Sequence, residues 1–138
     1  MNWTRPIDAY CERPGPAYWA EPVNALTNLA FILAVLILWP RTAGLPLARA
    51  LSGLLFSIGI GSFLFHTLAT AWAGTADTAP IGLFILTYLY AVQRHVWVWP
   101  YWLTLIGTVA FIPYAMVATQ VFAALPFRSI SAIGRCRC

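Results

Sequence analysis

Residues 57–80 read SIGIGSFLFHTLATAWAGTADTAP, and this stretch decides how the chain folds. Its first half closes a long apolar run from Ala48 to Leu68. Its second half, after a short Gly-containing break, opens another. Runs of ~20 apolar residues are long enough to cross a bilayer as helices. Gly53, Ser57, Gly59, Gly61 and Ser62 are small residues that let helix backbones approach closely. Three chemically active side chains interrupt the apolar text: Ser62, His66 and Asp77. Ser62 is four residues before His66, so on a helix the two share a face about one turn apart. An ionisable group at membrane depth is costly and marks a functional site by default. Imidazole, carboxylate and hydroxyl together suggest a metal-bound water and the groups that steer it.

Composition agrees with a membrane setting. Of 138 residues, 61% are hydrophobic and 9% charged, against roughly 25% charged in a soluble domain. The expected fold class is all-α: a polytopic transmembrane helix bundle of about four spans. All eight basic residues are Arg, and the net charge is +4. Arg128, Arg135 and Arg137 lie in the last eleven residues; without them the balance is +1. The basic character therefore belongs to a tail, and no stripe of basic and aromatic residues suggests nucleic acid. Cys136 and Cys138 are too close for an ordinary disulfide, and with Cys11 they make no zinc knuckle. The first twenty residues lack the apolar core of a signal peptide.

Four spans are predicted. The first runs from about Pro22 to Trp39, with Glu21 and Pro22 as a helix start. The second runs from Pro46 to Ala69, and the third from Thr78 to Gln93. The fourth runs from Trp99 to Leu125, with Pro113 as a kink or break. Trp97, Trp99, Tyr101 and Trp102 read as an interfacial aromatic belt. Residues 1–125 form one transmembrane domain, and 126–138 a polar, basic, disordered tail. The distribution of Arg leans to an external N-terminus. Thr70–Ala76 reads as a short loop returning Asp77 to the depth of His66. Ser62, His66 and Asp77 then point into a common space between spans two and three.

Two stretches, IDAYCERPGPAYWAEPVNALTNLAF and GSFLFHTLATAWAGTADTAP, resemble the alkaline ceramidase family of membrane hydrolases. The resemblance covers roughly residues 8–95. It rests on Ser62, His66 and Asp77 at the family's spacings, on Pro80, on Cys11–Glu12, and on the helix start from Ala20 to Asn28. It implies the N-terminal part of a seven-span fold that hydrolyses the amide of ceramide-like lipids with intramembrane Zn²⁺. His66 would be a zinc ligand, Asp77 the general base, and Ser62 a donor to the water or the developing oxyanion. The family completes its zinc site with a late His pair. This chain has two His, and His95 lies eighteen residues past Asp77, on the order of 27 Å along a helix. A complete zinc site is therefore not expected from this chain alone.

The resemblance also implies Ca²⁺ near the N-terminus, on Asp8, Glu12, Glu21 and a carbonyl at Tyr10. The spacing of Asp8 and Glu12 departs by one residue from the family's. A solvated acidic segment paired with Arg5 and Arg13 stands beside that reading. Two functions stay open: a ceramidase-like hydrolase acting on linear amide C–N bonds, incomplete in this chain, and an inactive or lipid-binding membrane remnant.

Overall fold

The structure is a computed structural model describing residues 2–7 and 17–124. The 126–138 tail lies outside the described residues. The helices are α1 (Pro22–Thr27), α2 (Leu29–Arg41), α3 (Pro46–Leu68), α4 (Ala71–Ala91) and α5 (Tyr101–Ala124), with a π-helical turn at Val92–Val96. The chain is all-α. It divides into two compact units, Met1–Tyr88 and Leu89–Cys138.

In the first unit, Pro22 occupies the first helical position of α1, where its missing N–H costs nothing and its fixed φ suits the helix. The helix is interrupted at Asn28. There the Thr27 hydroxyl and the Asn28 amide both donate to the Asn24 carbonyl, at 2.9 and 2.8 Å. Side chains of this kind compete with the backbone for its acceptors. Pro22–Arg41 nonetheless forms a single apolar stretch of 20 residues. Gly44, with φ +80, makes the turn that follows, a conformation glycine adopts without a Cβ clash. Pro46 then starts α3. The hairpin packs where α3 is smallest: a Cβ on Gly59 would stand 3.1 Å from Ile32 Cγ1 and from Phe31 Cβ.

The break between α3 and α4 is far shorter than the sequence suggests. Thr70–Ala76 is not a loop: α4 begins at Ala71, so Asp77 lies within the helix rather than at its N-cap. Ala69 ends α3 in the left-handed region, with φ 44 and ψ 48, a cost of roughly 1–2 kcal/mol for a residue with a Cβ. The N-terminal segment offsets it. Ile7 donates its N–H to the Ala69 carbonyl at 2.7 Å, while the Arg5 and Trp3 carbonyls accept from Ala71 and Trp72, each at 3.0 Å. These are first-turn donors, which no helix satisfies internally. A β-bridge between Pro6 and Thr70 completes the contact.

In the second unit, the Gln93 side chain packs on α5, its Oε1 only 2.8 Å from where a Cβ on Gly107 would stand. Trp97 and Trp99 lie 5.1 Å apart between ring centroids. Pro113 does not break α5. Among the described residues, four helical stretches are long and apolar enough to cross a membrane: Pro22–Arg41, Pro46–Leu68, Ala71–Val96 and Tyr101–Ala124.

Candidate functional site

His66 lies in the last turn of α3 and is buried, 8% exposed. Glu21 lies at the start of α1 and is 2% exposed. The two meet because α1–α2 and α3 form an antiparallel hairpin, which places the start of one span beside the end of the next. His66 Nδ1 is 2.6 Å from Glu21 Oε2. Glu21 makes no side-chain cap bond to α1; its carboxylate is turned to the imidazole instead. A carboxylate on one ring nitrogen fixes the orientation of a histidine. With Nδ1 engaged by Glu21, Nε2 is the ring nitrogen through which His66 would take a metal.

Asp77 approaches α3 lower down. A Cβ on Gly61 would lie 2.2 Å from the Ala76 carbonyl oxygen and 3.1 Å from Asp77 Cα. The two backbones can come this close only because residue 61 has no side chain. Pro80 contributes from the other side, within α4. It has no N–H to give the carbonyl four residues back, and its ring crowds that group. The Ala76 carbonyl is the one released, and it faces Gly61. Asp77 therefore sits at the level of Gly61 and Ser62, five residues from His66, or about 7.5 Å along α3. It is buried, and its Oδ1 has no hydrogen-bond partner among the described residues. A buried carboxylate oxygen left unpaired demands an explanation, and a catalytic role or a missing ligand are among the few available.

Ser62 is half-buried on the same stretch of α3. The other α3 hydroxyls, Ser52, Ser57 and Thr67, each donate to a carbonyl four residues back. Ser62 makes no such bond among the described residues, so its hydroxyl stays available. Phe65 closes the other side of this helix end, packing on Gly74, with its ring 5.7 Å from that of His66.

The site residues named from sequence are thus placed unevenly. Ser62, His66 and Asp77 share the end of α3 and the facing part of α4. Asp8, Tyr10 and Glu12 lie outside the described residues. Glu21 is buried against His66. That pairing was not read from the sequence, although one acid at the start of span one and one histidine at the end of span two contain its signal. His95 is exposed in the π-helical turn of the second unit.

The donor set fits one corner of a zinc site. His66 offers an oriented nitrogen, and Asp77 offers a buried carboxylate. No group of three or more His, Cys, Asp or Glu able to hold a metal ion occurs among the described residues. A family model described as Ceramidase matches residues 9–137. No curated protein and no solved structure matches the chain.

Proposed function

This chain belongs to the ceramidase family, and from that premise we propose that it is a multi-pass membrane protein whose α3–α4 site serves hydrolysis of a ceramide-like lipid amide. The observation that carries the reading is the buried Asp77, whose Oδ1 has no hydrogen-bond partner among the described residues, at the level of Gly61 on α3, one residue before Ser62 and about 7.5 Å along the helix from the His66 that Glu21 orients.

The membrane setting is supported by what the helices leave uncovered. Leu33, Leu36, Ile37, Ile106, Val109 and Val117 are each more than half exposed. Each of these helices leaves large apolar side chains uncovered, a pattern that marks an interaction or membrane-facing surface, and hydrocarbon covers it without cost.

In the proposed chemistry each residue has a distinct task. His66 would hold Zn²⁺ through Nε2, with Glu21 fixing the ring from behind. Bound zinc would supply an acidified water and polarise a carbonyl. Asp77, through its free Oδ1, would accept a proton from water and return one to the leaving amine. Ser62 would donate to the oxygen of the amide as negative charge develops there. The remaining zinc donors would come from outside the described residues. Ca²⁺ would be held by Asp8, Glu12 and Glu21 with the carbonyl of Tyr10, which would tie the calcium site to the carboxylate that orients His66.

The test is amide hydrolysis on a fluorescent ceramide, with zinc content measured on the same sample. The 138-residue chain by itself should show no turnover above background and retain zinc weakly, the retained fraction falling further in His66→Ala. Zinc retention indifferent to His66 would overturn the metal assignment. Robust turnover lost in His66→Ala would place the missing donors within this chain or a second copy of it.

A further inference from the structure

At the end of the α2–α3 hairpin away from His66, Val35, Leu36, Trp39, Pro40, Gly53 and Phe56 line a groove of about 390 Å³. Small-molecule sites span roughly 300–1,000 Å³. The groove is open over Gly53, where a Cβ would meet nothing within 4 Å. Its lining is apolar apart from the Trp39 indole.

One mouth of the groove is cationic. The Arg49 guanidinium stands 5.0 Å from the centroid of the Trp39 ring, and Arg41 closes the last turn of α2. Both arginines are exposed. Neither guanidinium has an ion-pair or hydrogen-bond partner among the described residues. No acidic residue occurs between Glu21 and Asp77, so the whole hairpin lacks an internal counter-ion. Arginine presents a planar fork of donors that matches phosphate bidentately. A groove open to hydrocarbon takes an acyl chain.

We propose that the α2–α3 hairpin binds one anionic phospholipid, an acyl chain lying over Gly53 and the phosphate on Arg49 with Arg41 beside it. The proposal rests on the multi-pass membrane reading above. The site is distinct from the hydrolytic one: Arg49 and His66 are seventeen residues apart on α3, about 26 Å at 1.5 Å per residue.

The test is native mass spectrometry of the full chain in detergent, titrated with dioleoyl phosphatidylglycerol, dioleoyl phosphatidylcholine or inorganic phosphate. One phosphatidylglycerol per chain should be retained, in preference to phosphatidylcholine, and inorganic phosphate should not displace it. Gly53→Leu fills the groove without a backbone clash, so it should abolish retention while leaving the unfolding midpoint at or above wild type. Arg49→Gln should weaken phosphatidylglycerol binding by about fivefold, the effect of one arginine near an anionic headgroup, and leave phosphatidylcholine unchanged. Wild-type retention by Gly53→Leu, or equal binding of the two lipids, would overturn the site. Displacement by inorganic phosphate would overturn it in favour of a free-anion site. Carbonate washing of expressing membranes separates the two readings. A chain released by the wash refutes the membrane reading, whereas an embedded chain whose Gly53→Leu variant still binds refutes the lipid site alone.

Discussion

Gly61→Ala is the sharpest perturbation of this structure, because it strikes backbone rather than a mobile side chain. The new Cβ would lie 2.2 Å from the Ala76 carbonyl oxygen and 2.7 Å from its carbon. Ordinary van der Waals contact begins near 3.4 Å, so α3 and α4 must part locally by about 1.2 Å. Overpacking of this kind costs roughly 1–3 kcal/mol, occasionally more. Helix propensity returns about 1 kcal/mol on replacing Gly with Ala. The net expectation runs from no change to a loss of about 2 kcal/mol. Gly53→Ala is the matched control. It lies on the same helix with nothing within 4 Å of its Cβ, and should gain roughly the 1 kcal/mol of propensity. Unfolding of the purified chain in mixed micelles, followed by circular dichroism against increasing dodecyl sulfate, gives both values. Separation of the helices also moves Asp77, which belongs to the same contact, away from Ser62. A Gly61→Ala variant as stable as Gly53→Ala would refute the close approach of α3 and α4 on which the shared site depends.

Other substitutions probe the site separately. Asp77→Asn should hold or raise the unfolding midpoint, because it replaces a buried carboxylate whose Oδ1 has no partner among the described residues; a loss of more than about 1 kcal/mol would show that the carboxylate is structurally paired. Glu21→Gln replaces a charge-assisted bond to His66 with a neutral one and should cost roughly 1 kcal/mol, with zinc retention falling about 10- to 100-fold. Calcium at a hundred times its dissociation constant should stabilise the wild-type chain by about 2.7 kcal/mol, and Glu21→Gln should blunt that response; a midpoint indifferent to millimolar calcium favours a solvated acidic segment. Removing residues 1–7 should raise hydrogen exchange at the Ala71 and Trp72 amides, each losing one bond of roughly 1 kcal/mol, while amides in the middle of α3 keep their protection.

The resemblance stated from sequence reached residues 8–95, and the family match extends through residue 137. The helical placement of Ser62 and His66 was equally legible. Ser62 and His66 share a helix, so their four-residue spacing fixed their common face before any tertiary contact formed. The bounds of α3 and α5 followed from continuous apolar runs, α3 opening on Pro46 and α5 lying between Pro100 and Pro126. The start of α4 was not legible. Thr70–Ala76 contains Gly74 and two threonines, and its helical form depends on carbonyls of Trp3 and Arg5 that reach it from more than sixty residues away. Local propensity cannot report a donor satisfied at that separation.

The sequence by itself determined that the chain is helical and that its helices are long and apolar enough to cross a membrane. These are properties of composition and of the 3.6-residue period. The tertiary structure decided who faces whom. It turned Glu21 from a helix start into the partner of His66, and placed Asp77 inside a helix at the level of Ser62. It also made Gly61 and Gly53 different residues, one closing a helix contact and the other opening a groove. Each of these depends on how one helix approaches another. That approach is set by the absence of a side chain on one surface and by what the facing surface presents, and a single helix does not encode its neighbour.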